Sequence, residues 1–187
     1  VVTRLFGGRT FYWNCGMPWV YTRSAFREWY EQLTFRLVHY LVTGAAALAP
    51  GYARYYTIPE TKIKIIPNWI DVESGPRPLT DEDRRIVRSE LHIPADAPVI
   101  LFVHRLAKRK GANLLPNILA GLSDQHAVLV VVGDGPERES LETCFRANGL
   151  WERVRMMGSV PHREVFCYFS CADVLLLPSE EEGFPHV

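Results

Sequence analysis

Short apolar runs alternate with stretches of helical periodicity along most of this chain. The clearest runs, 98–103 and 127–132, are continuous and rich in β-branched residues. Such runs are typical of strands buried on both faces, and helical crossovers join strands of this kind in parallel. Beyond residue 97 the order is strand, helix, strand, helix, strand, helix, strand. The sequence therefore predicts an α/β fold with a Rossmann-like, doubly wound parallel sheet.

Apolar spacing and the positions of Gly and Pro also predict the bounds of the elements. Thr80 is expected to cap a helix that ends near Leu91. The other predicted helices are 24–38, 45–55, 112–122, 137–147 and 162–169, and the other predicted strands are 40–43, 62–66, 153–157 and 173–177.

Charge divides the chain into two parts. Residues 1–66 hold 8 basic and 3 acidic residues, whereas residues 67–187 hold 13 and 18, so charges of +5 and −5 cancel to zero. The loop 68–78 contains Gly75, Pro76 and Pro78, which is typical of a connection. We therefore predict the C-terminal part of one Rossmann-like domain over 1–68, a linker over 69–79 and an incomplete second domain over 80–187.

The composition excludes several classes of protein. With 48% apolar and 22% charged residues and no net charge, the chain is neither disordered nor a general polyanion binder, and we expect no nucleic-acid partner. The longest run without Asp, Glu, Lys or Arg, 37–53, is short and contains Gly44 and Pro50, so no transmembrane helix is expected. Residues 1–9 begin with Val and lack the layout of a signal peptide, which indicates an internal piece of a longer chain.

The four cysteines are Cys15, Cys144, Cys167 and Cys171. None has the spacing of a zinc ligand, so we interpret them as reduced core thiols and predict no metal site; metal ligation and disulfides are the alternatives. Reduced thiols fit a cytoplasmic location.

The first unusual strand end follows the run 98–103 and reads HRLAKRKG. Four cations precede Gly111 and a predicted helix start: Arg105, Lys108, Arg109 and Lys110. Cationic side chains and the free N–H groups of a helix start both attract anions. Two such residues could hold a diphosphate, since each charge-assisted hydrogen bond contributes roughly 1.5–3 kcal/mol. A solvated basic loop is the alternative.

The second strand end follows the run 127–132. Gly133 and Gly135 would let the backbone approach a ligand, and Pro136 would open the next helix. A dinucleotide-binding fingerprint needs a third glycine, where this chain has Arg138, so that interpretation is weak. A tight strand-to-helix turn is the simpler explanation.

The third strand end reads PSEEEGFP. Glu182, Gly183 and Phe184 fall at a predicted helix start, where backbone N–H groups are free. By the geometry of a doubly wound sheet, this segment shares one crevice with the other two strand ends. A carboxylate there could bind sugar hydroxyls or balance the cations, and a solvated acidic turn is the alternative.

Together these motifs resemble the nucleotide-sugar-dependent glycosyltransferases of group 1 (family 4), which have two Rossmann-like domains in the GT-B fold. The family pattern G-R-L-x-x-x-K-G resembles His104–Gly111, and G-D-G-P matches Gly133–Pro136. P-S-x-x-E-G-F matches Pro178–Phe184, and the interdomain P-N-G-x-D resembles Pro67–Asp71. The motifs occur in the family's order over about 120 residues.

The resemblance implies retaining, metal-independent transfer from a nucleoside-diphosphate sugar to a glycan, a lipid-linked glycan or a small molecule, with no cofactor besides the donor. Arg105 and Lys110 would hold the diphosphate, and Glu182 would bind the hydroxyls of the donor sugar. The remaining implied donor-binding residues are Gly133, Asp134, Gly135, Pro136, Gly158, Val160, Gly183 and Phe184. Residues 1–68 would belong to the acceptor-side domain and 80–187 to the donor domain.

Three departures from the family pattern have consequences. His104 and Trp69 replace glycines of the motifs, and the second glutamate of the family's E-x7-E motif would fall three positions beyond Val187. We therefore expect this chain alone to be inactive. Two alternatives stay open: a catalytically silent nucleotide-binding module of the same fold, and a binder of nicotinamide dinucleotides.

The basic first part is rich in aromatic residues, among them Trp13, Trp19, Phe26 and Trp29, beside several arginines. This composition is consistent with peripheral contact at the inner face of a membrane. The alternative is that the aromatics are core residues and the arginines form a solvated face.

Overall fold

The computed structural model describes residues 6–14, 16–67, 80–182 and 187. They form two compact units, one comprising the described part of 6–67 with Glu182 and the other comprising 80–181 with Val187. Each unit has a parallel sheet with helices, which confirms the predicted α/β, Rossmann-like fold class. The predicted linker, 69–79, lies outside the described residues.

The first unit is built on a three-stranded parallel sheet in the order β1-β2-β3. Its elements are β1 (Phe11–Trp13), α1 (Ala25–Leu37), β2 (Tyr40–Thr43), α2 (Ala49–Tyr56) and β3 (Ile63–Ile65). The predicted helix over 45–55 starts as a 3-10 turn, Ala46–Leu48, and becomes α-helical at Ala49. β1 was not predicted, because its three residues are all aromatic and all exposed and so lack the alternation of a half-buried strand.

Helix α1 begins where the sequence predicts, since the Ser24 hydroxyl accepts a hydrogen bond from the Arg27 N–H. Phe35 faces the core, where it packs with Leu41 and the side chains of α2. On the other side of the helix, five apolar side chains at helical spacing are exposed: Phe26, Trp29, Tyr30, Leu33 and Leu37. We call these five residues the aromatic stripe. The interpretation of the aromatics as core residues is therefore wrong for Phe26 and Trp29, which are 75% and 60% exposed.

The second unit is built on a four-stranded parallel sheet in the order β6-β5-β4-β7. Its elements are α3 (Asp81–Glu90), β4 (Val99–Val103), α4 (Leu115–Ala120), β5 (Val128–Val132), α5 (Arg138–Ala147), β6 (Val154–Gly158), α6 (His162–Cys171) and β7 (Val174–Leu175). All seven strands and helices predicted from 98 to 177 are present, with shifted ends. The helix predicted over 112–122 begins as a 3-10 turn, Ala112–Leu114, and the last strand is shorter than predicted.

Both faces of this sheet are covered, as the continuous apolar runs require. Val99 and Leu101 pack under α3 and α6, whereas Phe102 lies on the opposite face with residues of α4 and α5. All five residues of β5 are buried. The sheet is therefore packed on both faces, and the loops that follow start from the carboxyl ends of its strands.

Helix α3 is attached to the opposite edge of this sheet, at the amino ends of β4 and β7, by a buried cation. Arg88 is 5% exposed and donates to Asp173 and to the carbonyl groups of Cys171, Ala95 and Ala97. Asp173 also accepts hydrogen bonds from Arg84 and from the Val99 N–H. Burial alone would raise the pKa of Asp173, but these donors outweigh it and lower the pKa below its usual range.

The described cysteines are free thiols with different surroundings. Cys171 is buried, which raises its pKa, and Cys144 is partly buried. Cys167 is exposed, so its prediction as a core thiol is wrong: it lines an open groove of about 350 Å³ between α3 and α6, which solvent enters. Cys15 lies outside the described residues. Over the described ranges, none of the helices has the length and apolar character needed to cross a bilayer.

Candidate functional site

The strand order of the second unit determines where its ligand site should lie. From β4 the chain adds β5 and then β6 on one side, and it returns to add β7 on the other side of β4. In open parallel sheets, ligands bind outside the carboxyl ends of the strands at the point where the order reverses. That point is between β4 and β7. We call the segment after β4, residues 104–111, the phosphate loop, and the segment Pro178–Glu181 the β7 loop.

The phosphate loop and the β7 loop are in direct contact. The Glu180 N–H donates to the Arg109 carbonyl group over 3.1 Å, and the Arg109 guanidinium lies 3.0 Å from the Glu181 carboxylate. A Cβ atom on Gly111 would lie 2.1 Å from the Pro178 carbonyl oxygen, so this approach requires glycine. The two loops therefore lie side by side, as the sequence predicts for these strand ends.

The turn after β5 supports the phosphate loop from the other side. The Leu106 N–H donates to the Asp134 carbonyl group, and the Glu137 N–H donates to that of Leu106. Cβ atoms on Gly133 and Gly135 would lie 2.0 Å from the His104 carbonyl oxygen and 2.4 Å from that of Leu106. The two glycines thus permit close packing of two loops, and their contact with a donor stays a prediction.

A short hydrogen-bond network stiffens the turn after β5. The Asp134 carboxylate accepts from the Gly135 N–H and from Arg138, which also bonds Glu142. The hydrogen bond to Glu142 is the main cause that raises the pKa of Arg138, against a smaller opposing effect of burial. In the glycine fingerprint, Arg138 stands only at the position of the third glycine. The spacing of four residues from Asp134 to Arg138 and from Arg138 to Glu142 is the sequence signal for this network.

The end of β6 contributes two of the predicted donor-binding residues. Gly158 has a positive φ of 73° and its carbonyl group accepts from the Gly133 N–H over 2.7 Å, which joins the ends of β6 and β5. Val160 packs against the core under α3 and α6. Both residues therefore have structural contacts of their own, and their role toward a donor stays a prediction.

The cations of the phosphate loop differ in their surroundings. Arg105 and Lys108 are exposed, and their side chains form no hydrogen bond or ion pair with the described residues. Lys110 is partly buried in the 3-10 turn Lys108–Lys110. Arg109, in contrast, points to Glu181. The arrangement leaves a positively charged loop at the place where a doubly wound sheet binds anions.

The remaining predicted site residues are distributed as follows. Pro136 is exposed in the turn before α5. Glu182 belongs to the first unit, whereas Arg105 and Lys110 belong to the second. Gly183 and Phe184 lie outside the described residues. Within the described ranges, no three His, Cys, Asp or Glu residues are grouped so that they could hold a metal ion.

Comparison with known proteins places this arrangement in a family. The family model for glycosyl transferases group 1 matches residues 83–187, which is more than half of the chain. The chain belongs to this family. The match confirms the resemblance carried by the motifs, and it covers the three strand-end loops described above.

Among curated relatives, the chain is 32% identical to 2-deoxystreptamine N-acetyl-D-glucosaminyltransferase of Streptomyces fradiae over 157 residues, which is 81% of this chain and 36% of that protein. It is 29% identical to D-inositol 3-phosphate glycosyltransferase of Xylanimonas cellulosilytica over 150 residues, 77% of this chain and 36% of that protein. The chain thus spans about a third of the length of these relatives.

Solved structures share the fold. The Anabaena protein Alr3699/HepE in complex with UDP superposes with a TM-score of 0.82 at 18% identity, over 98% of this chain and 50% of that chain. Sucrose-phosphate synthase from Thermosynechococcus elongatus superposes with a TM-score of 0.80 at 22% identity, over 99% of this chain and 48% of that chain.

Proposed function

We propose that the protein transfers a sugar from a nucleoside-diphosphate sugar to a glycan, lipid-linked glycan or small-molecule acceptor, with retention of configuration, without a metal ion and without a further cofactor. The observation that carries this proposal is the meeting of the basic phosphate loop and the β7 loop where the strand order reverses. Family membership supports the reaction class, and Alr3699/HepE, which shares the fold, has been solved with UDP and with UDP-glucose.

In this proposal, Arg105 and Lys110 bind the diphosphate. Negative charge builds on the leaving diphosphate as the bond from the anomeric carbon to its oxygen breaks, and fixed cations stabilise that charge. The acceptor oxygen forms the new bond to the anomeric carbon on the same face and passes its proton to an oxygen of the leaving diphosphate, which departs with the electron pair of the broken bond. Glu182 binds the sugar hydroxyls. The other donor contacts come from Gly133, Asp134, Gly135, Pro136, Gly158, Val160, Gly183 and Phe184.

The full-length protein tests this directly when it is incubated with UDP-, GDP- and ADP-sugars and an acceptor panel. We expect release of one nucleoside diphosphate with formation of a glycoside whose anomeric configuration, read by NMR, matches the donor. Added EDTA should leave the rate unchanged. Binding of a nucleotide without turnover across the panel would contradict the proposal and favour a silent nucleotide-binding module.

Replacing Arg105 or Lys110 with Ala is expected to weaken nucleoside-diphosphate binding by roughly 10- to 150-fold, because each loses a charge-assisted hydrogen bond of about 1.5–3 kcal/mol. Lys108→Ala is the matched control, since Lys108 is exposed on the same loop. It should change the affinity by less than about threefold, as expected for a screened surface charge. Titration calorimetry with UDP, GDP and ADP measures all three variants, and equal losses at the three positions would argue against specific diphosphate contacts.

We also propose that the protein contacts an anionic membrane surface on the cytoplasmic side through the aromatic stripe. The stripe exposes Trp29 and Tyr30, residue types that favour the membrane interface, and Arg36 is exposed on the same helix. The net charge of +5 on residues 1–66 is complementary to anionic lipids.

Vesicles of phosphatidylglycerol and phosphatidylcholine provide the test. The full-length protein should co-sediment with them at low salt and be released at high salt, because surface charges are then screened. Phe26→Ser combined with Trp29→Ser should lower the affinity for the vesicles by about a hundredfold or more, since burial of each large apolar side chain contributes roughly 1.5–3 kcal/mol and two are removed. Ile86→Ser, at an exposed position of α3, is the control. Unchanged sedimentation of the double variant would reject the stripe as the contact.

A further inference from the structure

Arg109 differs from the exposed cations Arg105 and Lys108 of the phosphate loop, because its side chain forms an ion pair. Its guanidinium lies 3.0 Å from Glu181, and the side chain of Glu181 is only 8% exposed, whereas that of Arg109 is 63% exposed. A hydrogen-bonded cation offsets the cost of withdrawing a carboxylate this far from water. The charge of Arg109 is therefore engaged by the β7 loop.

Two backbone contacts flank this ion pair. The Arg109 carbonyl group accepts from the Glu180 N–H, and Gly111 packs closely against the Pro178 carbonyl group. Between them, Lys110 is fixed in a 3-10 turn, because its N–H donates to Ala107. The backbone of Lys110 is thus held from both sides against the β7 loop.

We propose that Arg109 and Glu181 form a positioning pair that sets the place of Lys110 for the diphosphate without touching the donor. This inference rests on the proposed function. The pair also determines the local charge. Because Glu181 carries the opposite charge beside Arg109, the pair adds no net charge to the loop.

Loss of either half of the pair should displace Lys110. Arg109→Gln removes the guanidinium that lies 3.0 Å from the Glu181 carboxylate, so nucleoside-diphosphate affinity should fall about tenfold. Glu181→Gln breaks the same contact from the β7 loop, so affinity should fall to a similar extent. In both variants the turn that carries Lys110 loses its ion pair, so kcat should fall about tenfold.

The double variant Arg109→Gln/Glu181→Gln completes the cycle. It breaks no contact that the single variants leave intact, so its affinity and kcat should fall no further than those of either single variant. A purely structural role would lower the melting temperature and the active fraction equally in all variants and would leave the affinity of the folded protein unchanged. Arg85→Gln, which removes an exposed ion pair with Glu82, is the control.

The experiment measures UDP, GDP and ADP binding by calorimetry and transfer rates on the full-length protein. If wild type transfers sugar and all three variants match it in affinity and kcat, the positioning pair is overturned and the proposed function stands. If wild type neither binds these nucleotides nor transfers sugar, the proposed function fails and the pair fails with it. A double variant that loses no more affinity than either single variant supports the pair, and additive losses overturn it.

Discussion

Replacing Gly133 with Ala is expected to lower the free energy of unfolding of the second unit by about 4 kcal/mol or more, a loss reserved for substitutions with a severe steric cause. Gly133 has a φ of 136°, which side chains with a Cβ atom rarely adopt. The new methyl group would also lie 2.0 Å from the His104 carbonyl oxygen. Backbone atoms cannot rotate aside as a flexible side chain can, so the phosphate loop would have to move. Urea unfolding monitored by circular dichroism measures the change.

Gly149→Ala is the control that separates the cost of a positive φ from the cost of the steric clash. Gly149 also has a positive φ, 66°, but a Cβ atom built there would have nothing within 4 Å. Its cost should be limited to the left-handed backbone conformation, about 1–2 kcal/mol. Similar losses at Gly133 and Gly149 would show that the close approach to His104 contributes nothing.

Replacing Asp173 with Asn should lower the free energy of unfolding by about 2–3 kcal/mol, because it leaves the buried guanidinium of Arg88 without a carboxylate. Fully buried pairs lose about 3–5 kcal/mol, and we expect less here because the Asp173 side chain is 40% exposed and partly solvated. Glu82→Gln breaks an exposed pair with Arg85 on the same helix and should change stability by less than about 0.5 kcal/mol. Equal effects of the two variants would contradict the role of the Arg88–Asp173 contact.

Asp173 also makes the free energy of unfolding depend on pH, and its lowered pKa determines the direction of that dependence. The pKa of Asp173 is lowered in the folded protein, so its contribution to stability is fully present above the unfolded pKa of about 3.9 and is lost as the pH falls through the folded pKa. Asp173→Asn should therefore flatten the decline of stability in that acid range. Urea midpoints between pH 6 and the acid limit, compared for wild type and Asp173→Asn, measure this.

Much of the second unit could be predicted because local signals agree there. The apolar runs around Val99 and Val128 require burial on both faces, and Thr80 with Asp83 forms a capping box at the start of α3. The ends of elements were less predictable, since Ala112–Leu114 adopts a 3-10 turn before α4 begins. In the first unit β1 is not predictable from the pattern, because its three exposed aromatic residues lack the alternation of a half-buried strand.

The candidate site was predictable as a set of strand ends, because parallel topology brings those ends to one edge of the sheet. The contacts within it were not. The pairing of Arg109 with Glu181 joins residues 72 positions apart, and the need for glycine at 111 and 133 arises from neighbouring loops. Sequence patterns indicate residue types for a ligand, but they do not separate residues that meet the ligand from residues that meet each other.

The strand order has a consequence for the order in which the unit is assembled. β4, β5 and β6 are consecutive in sequence and can pair as the chain leaves the ribosome, whereas β7 pairs with β4 only after a crossover of about 70 residues has been synthesised. Until then β4 presents an open edge, and the phosphate loop has no β7 loop to contact. The proposed nucleotide site can therefore form only after β7 has paired with β4, so a binding assay on nascent chains reports that pairing.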